Sequence, residues 1–238
     1  MADWPVPPHV RALTTTRTSG VSRAPFASNN LALHVRDRVD DVHANRAALM
    51  NRLELKHEPA WLDQTHSSHC VNIDIDQNRH ADAAITTQLD RPLAILTADC
   101  LPILLCNHAG TEIAAIHAGW RGLANGIIQQ TIARMTSSAT SLMAWIGPGI
   151  CQRCYPTGQE VYDQFTQQYA FATVAFHHQS DQLYANLPHL AELILNHIGV
   201  KSVYQSGICT FEAHDRFYSY RRASETGRIA TLIWLTRG

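Results

Sequence analysis

Short apolar runs alternate with polar turns along this chain, and many of the runs have the length of a β-strand. Three of them stand close together at Leu93–Thr97, Leu101–Leu105 and Glu112–His117. Apolar runs of about four to eight residues bounded by turn residues are typical of buried strands. The pattern therefore predicts three strands here, or two if the second continues the first after a bend at Asp99 and Cys100.

Helical spacing follows the third run. After a glycine-flanked turn at Ala118–Gly122, apolar side chains recur every three or four residues, at Leu123, Ile127, Ile128, Ile132 and Met135. This spacing predicts one helix that follows the turn. The same spacing predicts further helices over residues 40–53, 158–169 and 186–198. We expect Asp40 and Asp41 to cap the first of these.

Strand-like and helix-like segments alternate along the whole chain, with short connections and no repeat or linker. A strand is predicted near each end, at Ala12–Thr18 and Arg228–Leu235. Some strand-like runs follow one another too closely for the long crossover that parallel neighbours need. The sequence therefore favours an α/β fold with a mixed sheet, in a single domain that covers residues 1–238.

Composition excludes several classes of protein. The chain has 238 residues, of which 45% are hydrophobic, and a formal net charge of −1. This near-neutral balance indicates no surface for nucleic acid or an anionic membrane. The N-terminal residues MADWPVPPHV lack the pattern of a signal peptide, and Asp99 and Pro102 interrupt the longest apolar stretch. We expect a cytoplasmic protein that binds neither nucleic acid nor membranes.

The six cysteines are expected to be free thiols or metal ligands in such a protein. They stand at positions 70, 100, 106, 151, 154 and 209. Cys151 and Cys154 form a CxxC motif. A zinc ribbon needs a second pair of this kind. None is apparent in the sequence, so we interpret this CxxC as structural or incidental.

Three residues with metal-binding side chains stand beside predicted strands. Cys100 follows the first apolar run, His117 ends the third, and His66 precedes another strand-like run. They fit a catalytic zinc by type, since such a site needs three protein ligands and one open position. Long gaps between ligands are not diagnostic, however, and core packing is the alternative for each residue. His69 lies three residues from His66, so on a regular strand the two would face opposite sides.

The turn after His117 also suits an anion. A helix that starts at Gly122 would present free backbone N–H groups, and Arg121 would place a guanidinium beside them. Arg17, at the end of the first predicted strand, is either a second cation for such a site or a surface charge.

Several sequence motifs together resemble a known family. In chain order they are DQTHSSH (63–69), TADCLP (97–102), HAGWRGLANG (117–126), IGPGI (146–150), CT (209–210), and RFYSYRR with TGR (216–228). The family is variously called polyphenol oxidase or laccase-domain, peptidoglycan editing factor, and purine nucleoside phosphorylase. The resemblance runs from about Thr14 to Leu235, and the combination of TADC with HAGWRG is highly specific.

The resemblance implies a fold, a metal and an activity. Members of the family adopt a single α/β domain with layered sheets and helices, which here implies layered mixed β-sheets flanked by helices. They bind one zinc through a His, a Cys and a His, which fall on His66, Cys100 and His117. The family is associated with phosphorolysis of adenosine, inosine and methylthioadenosine, and with adenosine deamination.

These activities imply small-molecule partners, namely purine nucleosides and phosphate. Arg17, Arg121 and the helix start at Gly122 would hold the phosphate. Cys100 and His117 are also candidates for catalysis, together with Arg121. Asp99, next to a ligand, would orient the metal site or be a buried structural carboxylate. The oligomeric state stays open.

The chain departs from the family pattern at two positions. Ser67 replaces the usual glycine after the first ligand, and Pro156, in CYPTG, replaces a frequent acidic residue. The chain therefore lacks that carboxylate at position 156, and Glu160 is the acidic residue close by in sequence.

Three alternatives compete with a zinc phosphorylase. A copper oxidase acting on phenols would need several sites with HxH pairs, which this chain lacks, although one His₂Cys site could take copper instead of zinc. A cysteine hydrolase would use Cys100 as nucleophile and His117 as base. The third alternative is a protein without catalytic activity, either a structural metal module or a binding factor in cell-wall assembly. A closed structural metal site would need a fourth ligand such as His69 or Cys106.

Overall fold

In the computed structural model, which describes residues 2–237, the chain forms an α/β fold. In chain order the strands are β1 (Val10–Thr14), β2 (Cys70–Asn72), β3 (Ala83–Thr86), β4 (Leu93–Thr97), β5 (Leu101–Asn107), β6 (Ile113–Ala118), β7 (Leu142–Ile146), β8 (Pro156–Thr157), β9 (Phe176–Gln179), β10 (Gln182–Ala185), β11 (Ser202–Gln205) and β12 (Ile229–Leu235). The α-helices are α1 (Val39–Leu53), α2 (Trp120–Ala124), α3 (Ile127–Arg134), α4 (Gln159–Gln168) and α5 (Leu187–His197).

The largest sheet has six strands in the order β11-β7-β5-β6-β3-β2. β11 pairs with β7 and β2 with β3 in parallel, whereas the remaining pairs are antiparallel, so the sheet is mixed. β1, β12 and β4 form a second, antiparallel sheet. The short strands β8, β10 and β9 form a third.

β5 lies at the centre of the core, and every one of its residues is buried. Alternate side chains of a strand point to opposite faces. Accordingly, Ile103 packs in a cluster with Ile128 of α3 and Ile194 of α5, whereas Leu104 packs in another with Ile233 of β12. The six-stranded sheet is therefore covered by helices on one face and by the second sheet on the other.

The outer face of the second sheet carries a helix of its own. Leu96 of β4 and Leu232 of β12 pack with Leu49 of α1. The layers are thus helices, a six-stranded sheet, a three-stranded sheet and α1. This arrangement confirms the predicted α/β class, as a single domain of layered mixed sheets flanked by helices. Within the described residues, no helix has the length and apolar character needed to cross a membrane.

The three predicted strands between residues 93 and 117 are confirmed, and the second is separate from the first. β4 pairs with β12, whereas β5 pairs with β6 and β7. The chain therefore passes from one sheet to the other across Ala98–Cys100. Asp99 has a φ of 92°, in the left-handed region, which turns the backbone at this crossing.

The predicted helix after the HAGWRG motif is two helices. α2 begins at Trp120 and ends at Ala124, and α3 begins at Ile127. Gly126 between them has a φ of 81°, a conformation that glycine adopts without steric cost. The apolar spacing predicted the buried face correctly but could not reveal this break.

Two boundaries near the N-terminus were also wrong. α1 begins after Arg38, which makes no side-chain cap, so Asp40 and Asp41 lie in the first turn instead of capping it. There their charges still favour the positive end of the helix dipole. The first strand covers Val10–Thr14, so Arg17 lies in the loop beyond it.

Candidate metal centre and its cavity

The crossing between the two sheets brings His66, Cys100 and His117 together. One ligand atom from each lies within 4.8 Å of the other two. His66 Nε2 is 3.7 Å from Cys100 Sγ, and the imidazole rings of His66 and His117 meet edge to face at 4.8 Å. Two imidazoles and a thiol at these distances are donors that suit zinc or copper.

Buried Asp82, which the sequence analysis did not identify, orients this group. Its side chain is fully buried just before β3, and His117 Nδ1 donates to its Oδ1 at 2.7 Å. Because Nδ1 is committed to the carboxylate, Nε2 is the nitrogen of His117 that remains for a metal. A carboxylate behind a metal-binding histidine fixes the tautomer and the ring orientation in this way.

Asp82 also holds the backbone that carries His66. The backbone N–H groups of Thr65, His66 and Ser67 donate to its two oxygens at 3.1, 3.0 and 2.6 Å. The Ser67 hydroxyl donates as well, at 2.7 Å. Burial disfavours the Asp82 carboxylate, but the bonds from His117 and Ser67 outweigh it and lower its pKa to about 2. The hydroxyl of Ser67 therefore adds a bond to the site that a glycine at this position would lack.

Gly119 leaves room for the group. A Cβ at this position would lie 2.6 Å from His66 Cδ2 and 3.2 Å from Cys100 Sγ. The contact with His66 is shorter than packed atoms tolerate, so any larger residue must displace that ring.

Gly119→Ala is therefore expected to weaken metal binding by about tenfold or more, because it pushes His66 out of line with the other two side chains. Competition with a chromophoric chelator measures the affinity. Gly199→Ala is the matched control, since its positive φ strains the backbone but its Cβ makes only ordinary contacts, at 3.5 Å or more. Equal affinity in the two variants would contradict the expectation.

Cys100 and His117 form a charge pair in the metal-free protein. Burial disfavours both charges, yet the attraction of His117 and the hydrogen bonds from both histidines lower the pKa of Cys100 to about 6. The negative charges of Cys100 and Asp82 in turn raise the pKa of His117 to about 9 against the effect of burial. The thiolate that a metal needs is therefore available at neutral pH.

A cavity of about 470 Å³ opens above these three side chains. Its walls carry three guanidinium groups, from Arg121, Arg221 and Arg228. The aromatic residues Trp120, Tyr155 and Tyr220 also line it. The volume falls within the range of small-molecule sites. The RFYSYRR and TGR motifs, which carry Tyr220, Arg221 and Arg228, entered the resemblance to the family but were not predicted to contribute to the site.

The three arginines differ in how they are held. Arg121 is exposed and lies over the Trp120 ring, 4.4 Å from its centre. Arg221 lies over the Tyr155 ring at 4.8 Å and donates to the carbonyl of Pro156 at 2.9 Å. Arg228 is half-buried, and burial lowers its pKa.

The structure places two candidates for phosphate binding elsewhere. Arg17 is not among the residues that line the cavity, because its guanidinium donates to the carbonyls of Ala27 and His214. Gly122 lies inside α2 and is buried, and a Cβ there would meet the Ser67 carbonyl at 3.2 Å. Gly122 therefore serves close packing, and the helix begins two residues earlier than expected.

Asp99 lines the cavity, but both of its carboxylate oxygens accept hydrogen bonds from other parts of the protein. Its Oδ1 accepts from the Thr210 hydroxyl at 2.7 Å, and its Oδ2 accepts from the Ser219 hydroxyl and from the Arg221 backbone N–H at 2.9 and 2.7 Å. These bonds tie two distant loops to the crossing beside Cys100. Glu160, the acidic residue nearest Pro156 in sequence, is exposed on α4 and does not line the cavity.

Neither of the residues considered as a fourth ligand joins this group. His69 is exposed, and Cys106 lies at the far end of β5 within the core. Among the residues that the structure covers, only His66, Cys100 and His117 come together beneath the cavity. A tetrahedral ion held by three protein side chains keeps one position for substrate or water, as in catalytic sites.

Comparison with known proteins gives consistent matches over the full fold. The family model described as multi-copper polyphenol oxidoreductase laccase matches residues 11–236. The chain is 44% identical to purine nucleoside phosphorylase PA4543 of Pseudomonas aeruginosa over 98% of its length and 96% of that protein. It is 38% identical to purine nucleoside phosphorylase YfiH of Escherichia coli K12, with the same coverage. The crystal structure of Neisseria meningitidis protein NMB0706 superposes with a TM-score of 0.94 at 43% identity, covering 99% of this chain and 98% of that one.

Proposed function

The chain belongs to the multi-copper polyphenol oxidoreductase laccase family, and we propose that it is a metal-dependent purine nucleoside phosphorylase. Adenosine, inosine and methylthioadenosine are the proposed substrates, with deamination of adenosine as a second activity. The observation that carries the proposal is the cavity itself, which combines the group of His66, Cys100 and His117 with three arginines and three aromatic rings. Relatives with 44% and 38% identity bear the name of this activity.

Zinc is the proposed metal, with copper as the alternative. His66, Cys100 and His117 would hold it, because borderline imidazole and thiolate ligands suit both ions. Bound there, the ion would supply Lewis-acid polarisation and water activation. Asp82 would keep Nε2 of His117 directed at it.

Phosphorolysis needs a positively charged site for inorganic phosphate. Phosphate oxygen forms a bond to C1′ of the ribose as the bond from C1′ to the purine breaks, and the departing purine takes up a proton. Arg121, Arg221 and Arg228 supply up to three planar guanidinium groups around the cavity. Guanidinium groups bind phosphate oxygens in pairs and hold their charge throughout the reaction.

The aromatic residues that line the cavity suit the purine base of a nucleoside. Trp120, Tyr155 and Tyr220 present aromatic faces or edges against which a planar purine packs. Burial raises the pKa of Tyr155 to about 12, so its hydroxyl stays protonated and can donate a hydrogen bond into the cavity.

A metal analysis followed by a product assay tests the proposal. Protein purified without added metal is incubated with adenosine, with and without phosphate, and the products are separated by chromatography. The proposal requires adenine and ribose 1-phosphate in the presence of phosphate only, and inosine from the deaminase reaction when phosphate is absent. With phosphate present, that inosine is cleaved in turn to hypoxanthine and ribose 1-phosphate. If adenosine and inosine remain unchanged in metal-loaded protein with phosphate present, this function is wrong.

Arg121→Ala is expected to raise the KM for phosphate by about tenfold or more, because it removes a charged donor from the cavity. Arg228→Ala should act in the same direction. Arg121→Lys should recover only part of the loss, since lysine lacks the planar fork. Initial rates at varied phosphate concentration measure the effect, with Arg11→Ala on the exposed side of β1 as the control. Unchanged phosphate dependence in both alanine variants would place phosphate elsewhere.

One observation favours a second candidate function, cysteine hydrolysis. Cys100, His117 and Asp82 form a nucleophile, a base and an orienting carboxylate in series. In that function His66 has no necessary role, whereas a metal centre requires it. This difference separates the two candidates by experiment.

A further inference from the structure

A second group of metal-binding side chains lies outside the cavity. It consists of Cys151, Cys154, Cys209 and Glu212, whose ligand atoms all lie within 4.8 Å of one another. Cys154 Sγ is 3.7 Å from Glu212 Oε1. In a tetrahedral zinc site with Zn–S bonds of about 2.3 Å, neighbouring ligand atoms are about 3.5 to 3.8 Å apart. Small side-chain rotations therefore suffice to place all four atoms around one ion.

The sequence contains a second pair of potential zinc ligands at the spacing of the CxxC motif. Cys209 and Glu212 are separated by two residues, as Cys151 and Cys154 are. The pattern is CxxC followed by CxxE, which matches a two-pair zinc motif in spacing and differs in one ligand type. The interpretation of the CxxC as structural or incidental considered only cysteine pairs, and it overlooked a carboxylate at the same spacing.

Two loops of the fold hold the pairs in place. Gly149, at the end of the strand–turn segment after β7, forms a bridge with Cys209, and the Thr210 N–H donates to the Gly149 carbonyl at 3.0 Å. These contacts join the loop after β7 to the loop after β11. The two pairs therefore face each other because the backbone pairs them, independently of their side chains.

Neighbouring N–H groups donate hydrogen bonds to two of these four side chains, as groups around a bound metal commonly do. The backbone N–H of Cys151 donates to Cys209 Sγ at 3.3 Å. Arg153 Nη2 donates to both carboxylate oxygens of Glu212 at 2.9 and 3.2 Å. Hydrogen bonds of this kind orient the side chains that bind a metal. They also offset the negative charge of three thiolates and one carboxylate.

We propose that Cys151, Cys154, Cys209 and Glu212 bind a second Zn²⁺ in a closed structural site, separate from the centre beneath the cavity. Thiolates are soft ligands that select zinc, and four protein ligands leave no position for substrate. Each cysteine releases its proton to solvent as its sulfur binds the ion. No oxidation or reduction takes place.

The location gives this site a role in shaping the cavity. Ile150 and Tyr155 line the cavity and directly flank Cys151 and Cys154 in the chain. On the other loop, Thr210 donates to Asp99 beside the first metal centre. A zinc that joins the two loops would therefore fix part of the cavity wall and the support of Asp99.

Zinc stoichiometry in full-length variants tests the proposal. The wild type, reduced and metal-loaded, should bind about two zinc ions per chain, and His66→Ala should retain about one. Adding Cys154→Ser to His66→Ala should remove the remaining ion. Cobalt titration of His66→Ala should give an intense thiolate charge-transfer absorption that disappears with Cys154→Ser. Cys70→Ala, a cysteine buried against α3, is the control and should change neither result.

Glu212 supplies the second variant, because its exposed side chain can be replaced without disturbing the core. In the His66→Ala background, Glu212→Ala should weaken zinc binding by about tenfold or more, and Glu212→Cys should retain or tighten it. The proposal is overturned if His66→Ala with fully reduced thiols binds no zinc. It is equally overturned if its zinc survives both Cys154→Ser and Glu212→Ala, or if two of the three cysteines are found joined in a disulfide in the protein that has been offered zinc.

Discussion

Cys100→Ala is expected to lose the metal beneath the cavity and to lower nucleoside turnover on the order of a thousandfold or more. The several kcal/mol that a metal ion contributes to a reaction of this kind correspond to such a factor. His66→Ala should lose turnover about as severely, because two of the three ligands do not hold the ion in place. Metal analysis, turnover and far-UV circular dichroism on each variant measure the effect, and the fold should remain.

The same pair of variants decides between metal catalysis and a cysteine nucleophile. A thiolate bound to zinc is a poor free nucleophile, so iodoacetamide should label Cys100 slowly in the loaded protein and faster after chelation. Chelation should also abolish turnover, and zinc should restore it. If Cys100 is alkylated rapidly in the loaded protein while activity survives chelation and His66→Ala, the cysteine hydrolase is the correct function.

Asp82→Asn is expected to have the largest effect of any substitution that leaves all three ligands in place. The carboxylate accepts five hydrogen bonds, two at Oδ1 and three at Oδ2. The asparagine side chain has the same shape, but its NH₂ group replaces one of the two accepting oxygens. This NH₂ group would face N–H or O–H groups that also donate, and could accept from none of them. We expect a loss of about 2–4 kcal/mol in the free energy of unfolding and of about ten- to hundredfold in metal affinity. Urea denaturation of metal-free protein and chelator competition measure the two quantities.

Ser67→Ala is the graded control, because it leaves four of the five bonds to Asp82; besides the hydroxyl donor, it removes only the acceptor of the exposed His69 backbone N–H. It should cost about 1 kcal/mol and change metal affinity much less than Asp82→Asn does. If the two variants are equally stable and bind metal equally well, Asp82 does not organise the site.

The pH dependence of metal-free protein gives an independent check on Asp82. Its folded-state pKa of about 2 lies below the ordinary aspartate pKa of 3.8, so the ionised carboxylate stabilises the folded protein by about 2 kcal/mol above pH 4. This contribution is lost as the pH falls from about 4 to about 2. The difference in stability between wild type and Asp82→Asn should therefore shrink over the same interval. A difference that stays constant to pH 2 would show that the carboxylate is not held in its ionised form.

Sequence patterns predicted the strands around the site well, because apolar runs bounded by turns are local features. They could not show that β4 and β5 belong to different sheets, since pairing partners are set by distant parts of the chain. The resemblance to the family identified three candidate ligands, His66, Cys100 and His117. The fold brings these three residues together. Their role as ligands stays a prediction.

Asp82 and the arginines show why the rest of the site could not be predicted from the sequence. Asp82 stands in no motif quoted for the family, and its importance comes from five donors that converge on it only in the folded chain. Arg17 ends one predicted strand and Arg228 begins another. Both guanidinium groups donate to backbone carbonyls, yet Arg228 lines the cavity and Arg17 does not, and no local pattern distinguishes these two outcomes.

The crossing at Ala98–Cys100 restricts how this protein can vary in evolution. Four peptide units join the end of β4 to the start of β5, and they span at most about 14 Å when extended. Packed sheets lie about 10 Å apart, so the connection is only slightly longer than the distance that it must span. An inserted residue would move Cys100 away from both histidines, and a deleted residue would pull the sheets together. We therefore expect relatives that hold the same metal site to keep three residues in this crossing and to differ in length at other connections.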